Sequence, residues 1–195
     1  MESTRATADT QMLMSSLGKL PQPVTRPVLI MVSGLPGTGK SHLSRRLAEN
    51  VPVVILESDA LRKALFLQPE YTAAENTLLF RAVHRLLGDL LQRGISAVLD
   101  ATNLSELFRE RIYRIAEQTR ARLIIIRVAA PAAVVKQRLA ARARKAARSD
   151  HSEATWDIYQ KMLPDVQPIN RNHFVVDTSR DIGPVIRKIR RAVRQ

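Results

Sequence analysis

The chain has 195 residues, enough for one domain with a substantial core and too few for two of ordinary size. Its 45% hydrophobic and 25% charged residues are those of a globular protein, and with no cysteine it can form neither disulfides nor thiolate metal sites. The formal charge of +13 favours polyanionic partners such as nucleic acid, nucleotides or an anionic membrane surface, although an arginine-rich composition also follows from a GC-rich genome. No apolar run approaches the ~20 residues of a membrane span, and the first residues lack the basic start and apolar middle of a secretory signal. A cytoplasmic protein with no membrane partner is expected.

Residues 1–26 carry scattered Ser, Thr and Gln and end near Pro21 and Pro23, which reads as a flexible N-terminal arm. Within it Met12, Leu13, Met14, Leu17 and Leu20 could form a short helix packed on the domain that spans 27–195. A first strand is expected at about 28–33, a helix at 39–50, and a second strand running from Pro52 to Leu56 that ends at Glu57-Ser58-Asp59. Ser58 or Asp59 would cap a helix over about 60–67, which Pro69 ends. Leu78, Leu79, Val83, Leu86, Leu87, Leu90 and Leu91 recur at helical steps over 72–92, and Gly94 stands where a left-handed cap belongs. A third strand at 95–99 ends at Asp100-Ala101-Thr102-Asn103, and Ser105 caps a helix to about 120. A fourth strand (122–129) leads through Pro131 into a strongly basic helix at 132–148, a break at Ser149-Asp150-His151-Ser152 and a further helix at 153–163. A fifth strand (173–177) and an amphipathic helix (182–194) close the chain.

Apolar strands alternating with helices predict an α/β fold, a three-layer sandwich around a five-stranded parallel sheet, with a helical lid at about 132–163. Ligands of such sheets bind at the carboxyl ends of the strands, where the polar punctuation of this chain falls. After the first strand comes Gly34-Leu35-Pro36-Gly37-Thr38-Gly39-Lys40-Ser41, the G-x-x-x-x-G-K-S spacing of a P-loop. Its glycines let successive N–H groups face one anion, and the following helix adds its positive end. Gly34, Pro36, Gly37, Thr38, Gly39, Lys40, Ser41 and His42 are therefore expected to hold a nucleoside triphosphate, joined by Thr178 at the end of the fifth strand. Lys40 would reach the β- and γ-phosphates, and Ser41 would hold magnesium; Asp100, which ends an apolar strand, would join it on the metal through water or position the P-loop.

Asp59 and Arg62 project from one helix face, so that one can accept a proton while the other holds a polar or anionic group of an acceptor. Arg138 and Arg142, one turn apart in the basic helix, would close over the transferring phosphate. The four histidines form no metal pattern: His84 lies among leucines as a core or surface residue, and Trp156 and Tyr159 read as lid packing.

With these residues in place, the chain resembles the AAA-type P-loop kinases that include the phage-type 5′-polynucleotide kinase domain and zeta-toxin-like relatives. The matching features are the P-loop, Asp59-x-x-Arg62, Asp100-x-Thr102-Asn103-Leu104 with Arg109, and Arg138-x-x-x-Arg142. The resemblance implies that Asp59 is the general base on a 5′-hydroxyl, that Arg62 meets the acceptor phosphate, that Lys40 and Ser41 serve ATP and Mg2+, and that Arg142 contacts the donor. Ala101 is inserted relative to the family's Asp-Thr-Asn, and His42 replaces a common Ser or Thr. The reading is an ATP-dependent kinase with a hydroxyl acceptor, favouring a polynucleotide 5′-end. A small-molecule kinase is the alternative, and an NTP-driven switch or binding protein a more distant one.

Overall fold

The computed structural model describes residues 2–145 and 154–194. In chain order it contains α1 (Glu2–Ser16), β1 (Val28–Ser33), α2 (Lys40–Ala48), β2 (Val54–Glu57), α3 (Ser58–Leu65), α4 (Ala73–Gln92) and β3 (Ala97–Asp100). There follow α5 (Glu106–Gln118), β4 (Arg122–Ala129), α6 (Ala132–Lys145), α7 (Trp156–Met162), a 3-10 turn at Leu163–Asp165, β5 (Phe174–Asp177) and α8 (Gly183–Arg194). The five strands are all parallel, in the order β2-β3-β1-β4-β5.

β1 is central and wholly buried, which is why its sequence is apolar on both faces. Its side chains alternate between two cores. Leu29 and Met31 join the leucines of α4 together with Leu61 of α3, Ile112 of α5 and Leu13 of α1. Val28, Ile30 and Val32 face the opposite side, with Leu43 and Leu47 of α2 and Ile186 and Ile189 of α8. The result is the three-layer sandwich expected from the sequence. A smaller third cluster, with Val135 and Leu139 of α6 and Tyr159 of α7, lies against Leu35 of the glycine-rich loop and Leu104. The chain leaves β1 where its neighbours β3 and β4 are entered from opposite directions, so the loop after β1 opens at the topological switch point.

Several local expectations change. The arm holds the packed helix that its Met and Leu residues suggest, longer than expected and docked rather than mobile: Leu13 of α1 is 0% exposed, Thr10 is buried, and α1 packs on α3 and α4. The amphipathic spacing of Leu13, Leu17 and Leu20 is used against the leucine face of α4. The chain then passes Gly94, whose φ of +76° ends α4 and whose carbonyl accepts a hydrogen bond from the Val24 amide at 2.9 Å. The cap of α3 is Glu57, with no side-chain hydrogen bond, and Asp59 stands inside the first turn rather than at the cap. Thr72 caps α4 by accepting from the Glu75 amide, and α7 starts at Trp156, capped by Thr155. The break at residues 149–152 and Arg148 lie outside the described residues.

Arg109 is fully buried and works as a staple. Its guanidinium donates to the carbonyls of Asn103, Leu104, Gln167 and Pro168 and pairs with Glu106 at 2.7 Å. It thereby fixes the loop after β3 to the segment that returns from α7 to β5. A buried arginine needs this many acceptors to offset its lost hydration. Leu13→Ala should lower the free energy of unfolding by about 2–4 kcal/mol, because it opens a cavity under a docked helix. Urea unfolding checks this; an unchanged midpoint would mean that α1 does not hold its place.

Candidate active site

The loop between β1 and α2 is shaped by close approach. A Cβ on Gly34 would overlap the Val128 carbonyl. Gly37 (φ +75°) would bring one to 2.9 Å from Val135 and Leu139 of α6, and Gly39 (φ +92°) to 3.0 Å from the Thr178 hydroxyl. Both φ values are left-handed, so glycine answers two demands at each place. Asn103 ties the loop from behind: its Nδ2 donates to the Val32 carbonyl at 2.7 Å, and Ser33 Oγ donates to the Asn103 carbonyl at 3.0 Å. Gly39 caps α2, which has no acidic residue in its first turn, so the helix presents an unopposed positive end.

This end opens on a cleft of about 1440 Å³. Pro36, Gly37, Gly39, Lys40, Ser41, His42 and Thr178 line it, and so do Asp59, Arg62, Asp100, Arg138 and Arg142. Gly34 and Thr38 do not; they lie behind the loop, and Thr38 turns its hydroxyl inward to the Leu35 carbonyl at 2.7 Å. They shape the cradle rather than face its contents. Thr178 donates to the Thr38 carbonyl at 2.6 Å and receives a hydrogen bond from Arg138 at 2.8 Å, while a second Arg138 nitrogen reaches the Thr178 carbonyl at 2.8 Å. Arg138 is thus a clasp between α6 and the loop after β5. Arg142, one turn on, is half-buried and close enough to Lys40 to act on its amine.

Lys40 donates to the Leu35 carbonyl at 3.1 Å. Burial pushes its amine below the ordinary lysine value, against the opposing pull of Asp100, Asp59 and Glu57. Asp100 pairs in register with Val32 on one side and Glu57 on the other. Burial pushes its carboxyl up, while Lys40, Ser41 and Ser44 hold it down. Its Oδ2 is buried without a hydrogen-bond partner among the described residues. Such an orphaned oxygen beside the Ser41 hydroxyl fits a hard cation that takes oxygen ligands. Among the described residues no three His, Cys, Asp or Glu side chains converge as a metal cluster, so Mg2+ would need phosphate oxygens to complete its shell.

Arg62 does not stand open beside Asp59. It is 5% exposed, donates to Glu75 Oε1 at 2.9 Å and to Asn76, and its guanidinium lies 4.7 Å from the centre of the Tyr71 ring. Burial alone would raise the Glu75 carboxyl, but the hydrogen bonds from Arg62 and from the amides of Glu70 and Tyr71 hold it below its usual value. Arg62 Nε remains unpartnered among the described residues. Next to it stands a wall formed by Phe80 and His84 of α4 and Phe108 and Arg111 of α5, of which the sequence alone singles out only His84, as a core or surface residue. The signal was available: each pair recurs at one helical turn, at i,i+4 and i,i+3, and Phe108 is 49% exposed. Trp156 and Tyr159 stack at 4.8 Å and pack in the α6–α7 cluster, as the sequence suggested.

His84 lies 6.0 Å from the Phe80 ring, and burial, aided by Arg111, pushes its imidazole down to about 4. The unfolded chain takes up this proton near the usual ~6.5, so stability present above that value is lost as pH falls toward 4. Between pH 7.5 and 5 wild type should lose about 2 kcal/mol more than His84→Gln, as read by urea unfolding at the two pH values. Equal losses would contradict the half-buried, neutral imidazole.

The model of the AAA domain family matches residues 29–165. An uncharacterized protein of Mycobacterium tuberculosis is 30% identical over 142 residues, which are 67% of this chain and 28% of that protein. The chain thus spans less than a third of the length of that curated relative. An APS kinase of Mycobacterium tuberculosis, solved with AMPPNP and APS, superposes with a TM-score of 0.63 at 17% identity over 89% of this chain and 100% of that one. A chain of the Pnkp1/Rnl/Hen1 RNA repair complex gives 0.61 at 18% identity, over 74% of this chain and 45% of that one. These structural likenesses are likenesses of fold, and among the described residues no helix is long and apolar enough to cross a membrane. The family match covers the loop after β1, most of the cleft and most of the sheet: the chain belongs to the AAA domain family, with the P-loop fold that kinases share.

Proposed function

We propose that the protein is an ATP- and Mg2+-dependent kinase that phosphorylates a hydroxyl group, the favoured acceptor being the 5′-hydroxyl of a polynucleotide. The observation that carries this reading is the position of Asp59. It enters the same cleft as the P-loop and is near enough to Lys40 to act on its amine. Beyond it the cleft continues past Phe80 and Phe108, which leaves room for an acceptor beside the donor.

In this reading the N–H groups of the loop and the start of α2 hold the donor phosphates, and Lys40 leaves the Leu35 carbonyl for them. Ser41 and Asp100 would hold the cation, which would offset phosphate charge. Asp59 accepts the proton of the acceptor hydroxyl as that oxygen bonds to the γ-phosphorus; the bond from the γ-phosphorus to the β,γ-bridging oxygen breaks and ADP leaves. Arg142, beside Lys40, meets the charge that spreads over the moving group. Arg138 positions α6 through Thr178, and Arg62 shapes the acceptor wall through Glu75 and Tyr71. His42 and Arg45 stand on the exposed face of α2 at the mouth of the cleft.

The small-molecule reading keeps one support, the fold shared with an APS kinase. Labelled ATP offered with a panel of 5′-hydroxyl oligonucleotides and small hydroxylated compounds separates the two; label on no oligonucleotide and on a small compound favours the second. With whichever acceptor is labelled, Asp59→Asn should lower kcat on the order of 10²–10⁴-fold and leave ATP affinity near wild type. Full turnover by that variant removes Asp59 as the base.

A further inference from the structure

The chain has only four phenylalanines, and two of them, Phe66 and Phe174, pack on the cores. The other two, Phe80 and Phe108, line one wall of the cleft from different helices. Phe108 is 49% exposed there and belongs to none of the hydrophobic clusters among the described residues. Arg111 holds its guanidinium 5.8 Å from the centre of the Phe108 ring and also acts on His84 of α4, so it spans the two helices. It makes no ion pair with a carboxylate among the described residues. An apolar ring facing water beside an arginine without a carboxylate is poor use of a folded surface, and a good receptor for a flat ligand that carries negative charge.

We propose that Phe80 and Phe108 form a stacking shelf for the terminal base of a single-stranded nucleic acid, and that Arg111 at its edge binds the phosphate that follows. This rests on the kinase reading for the position of the 5′-hydroxyl, which the same nucleotide would present to Asp59. Three features favour this occupant over a sugar or sugar acid. Ring faces bind bases of any sequence, whereas a sugar acid needs fixed hydrogen-bond donors and acceptors. The shelf carries no carboxylate of its own, and its histidine is neutral at working pH. Arg45, Arg111, Arg138 and Arg142 surround the cleft in a chain of charge +13, so a polyanion is drawn to its mouth.

The test measures binding of a 5′-hydroxyl deoxynucleotide trimer by fluorescence anisotropy, with a label on its 3′-end, against the same trimer with an abasic first sugar. Wild type should bind the intact trimer roughly ten-fold more tightly than the abasic one, since stacking of a base on an aromatic ring is of that size. Phe108→Ala should bind the two alike and keep wild-type affinity for MgATP, which controls for folding. Arg111→Gln should weaken both trimers equally and flatten the salt dependence. No binding of the intact trimer by wild type overturns the proposal, as does an unchanged intact-to-abasic ratio in Phe108→Ala. Phosphoryl transfer to the trimer, followed separately, judges the kinase reading: transfer without shelf dependence removes only the shelf, and shelf-dependent binding without transfer removes only the acceptor role.

Discussion

The hydroxyl of Thr178 donates to the Thr38 carbonyl and receives from Arg138, a junction that joins residues 140 positions apart in the chain. Three elements meet in it: the P-loop, the loop after β5 and the lid-side helix α6. It also explains why Gly39 cannot carry a side chain, because a Cβ there would press on this same hydroxyl. On the other side of the loop Gly37 is held against Val135 and Leu139 of α6. The curvature of the P-loop is thus fixed both by its own glycines and by the helix that packs over it. The cradle and α6 are one packed unit, and the basic residues of α6 take their places from it.

Within that frame the charges of the site are set against one another. Lys40 is partly buried and would be poorly tolerated alone; Asp100, Asp59 and Glu57 compensate it from the ends of β2 and β3 and the start of α3. Asp100 in turn is strained toward its neutral form by burial and keeps an unpartnered oxygen. In the proposed function the balance of these groups would shift on binding: the amine would gain anionic partners and the orphaned oxygen a hard ion. A site whose groups are not mutually satisfied is expected where ligand, rather than protein, completes the set.

The parts legible in the sequence were those whose cause is local. Apolar strands buried on both faces, the glycine spacing of the P-loop, and Asp100 at the end of an apolar strand all follow from a few consecutive residues. The docked α1 did not, since the burial of Leu13 depends on a leucine face contributed by α4. Arg62 was read beside Asp59 from helix periodicity alone, yet Glu75, thirteen residues on, draws it into a buried pair. Arg138 was read as a mobile lid residue, and its partner Thr178 lies forty residues away. The Phe80–Phe108 wall was hidden for a different reason: each ring sits in an amphipathic helix where an aromatic residue normally means core, and only the tertiary structure leaves them facing a cleft.

The proposed chemistry turns on the relation between Asp59 and an acceptor hydroxyl. A crystal structure of the protein with a non-hydrolysable ATP analogue, Mg2+ and a 5′-hydroxyl dinucleotide examines it directly. The account predicts the 5′-hydroxyl within hydrogen-bond reach of the Asp59 carboxylate, and the metal on the Ser41 hydroxyl with Asp100 behind it. A dinucleotide seated with its 5′-hydroxyl away from Asp59, while the donor occupies the P-loop, would contradict it.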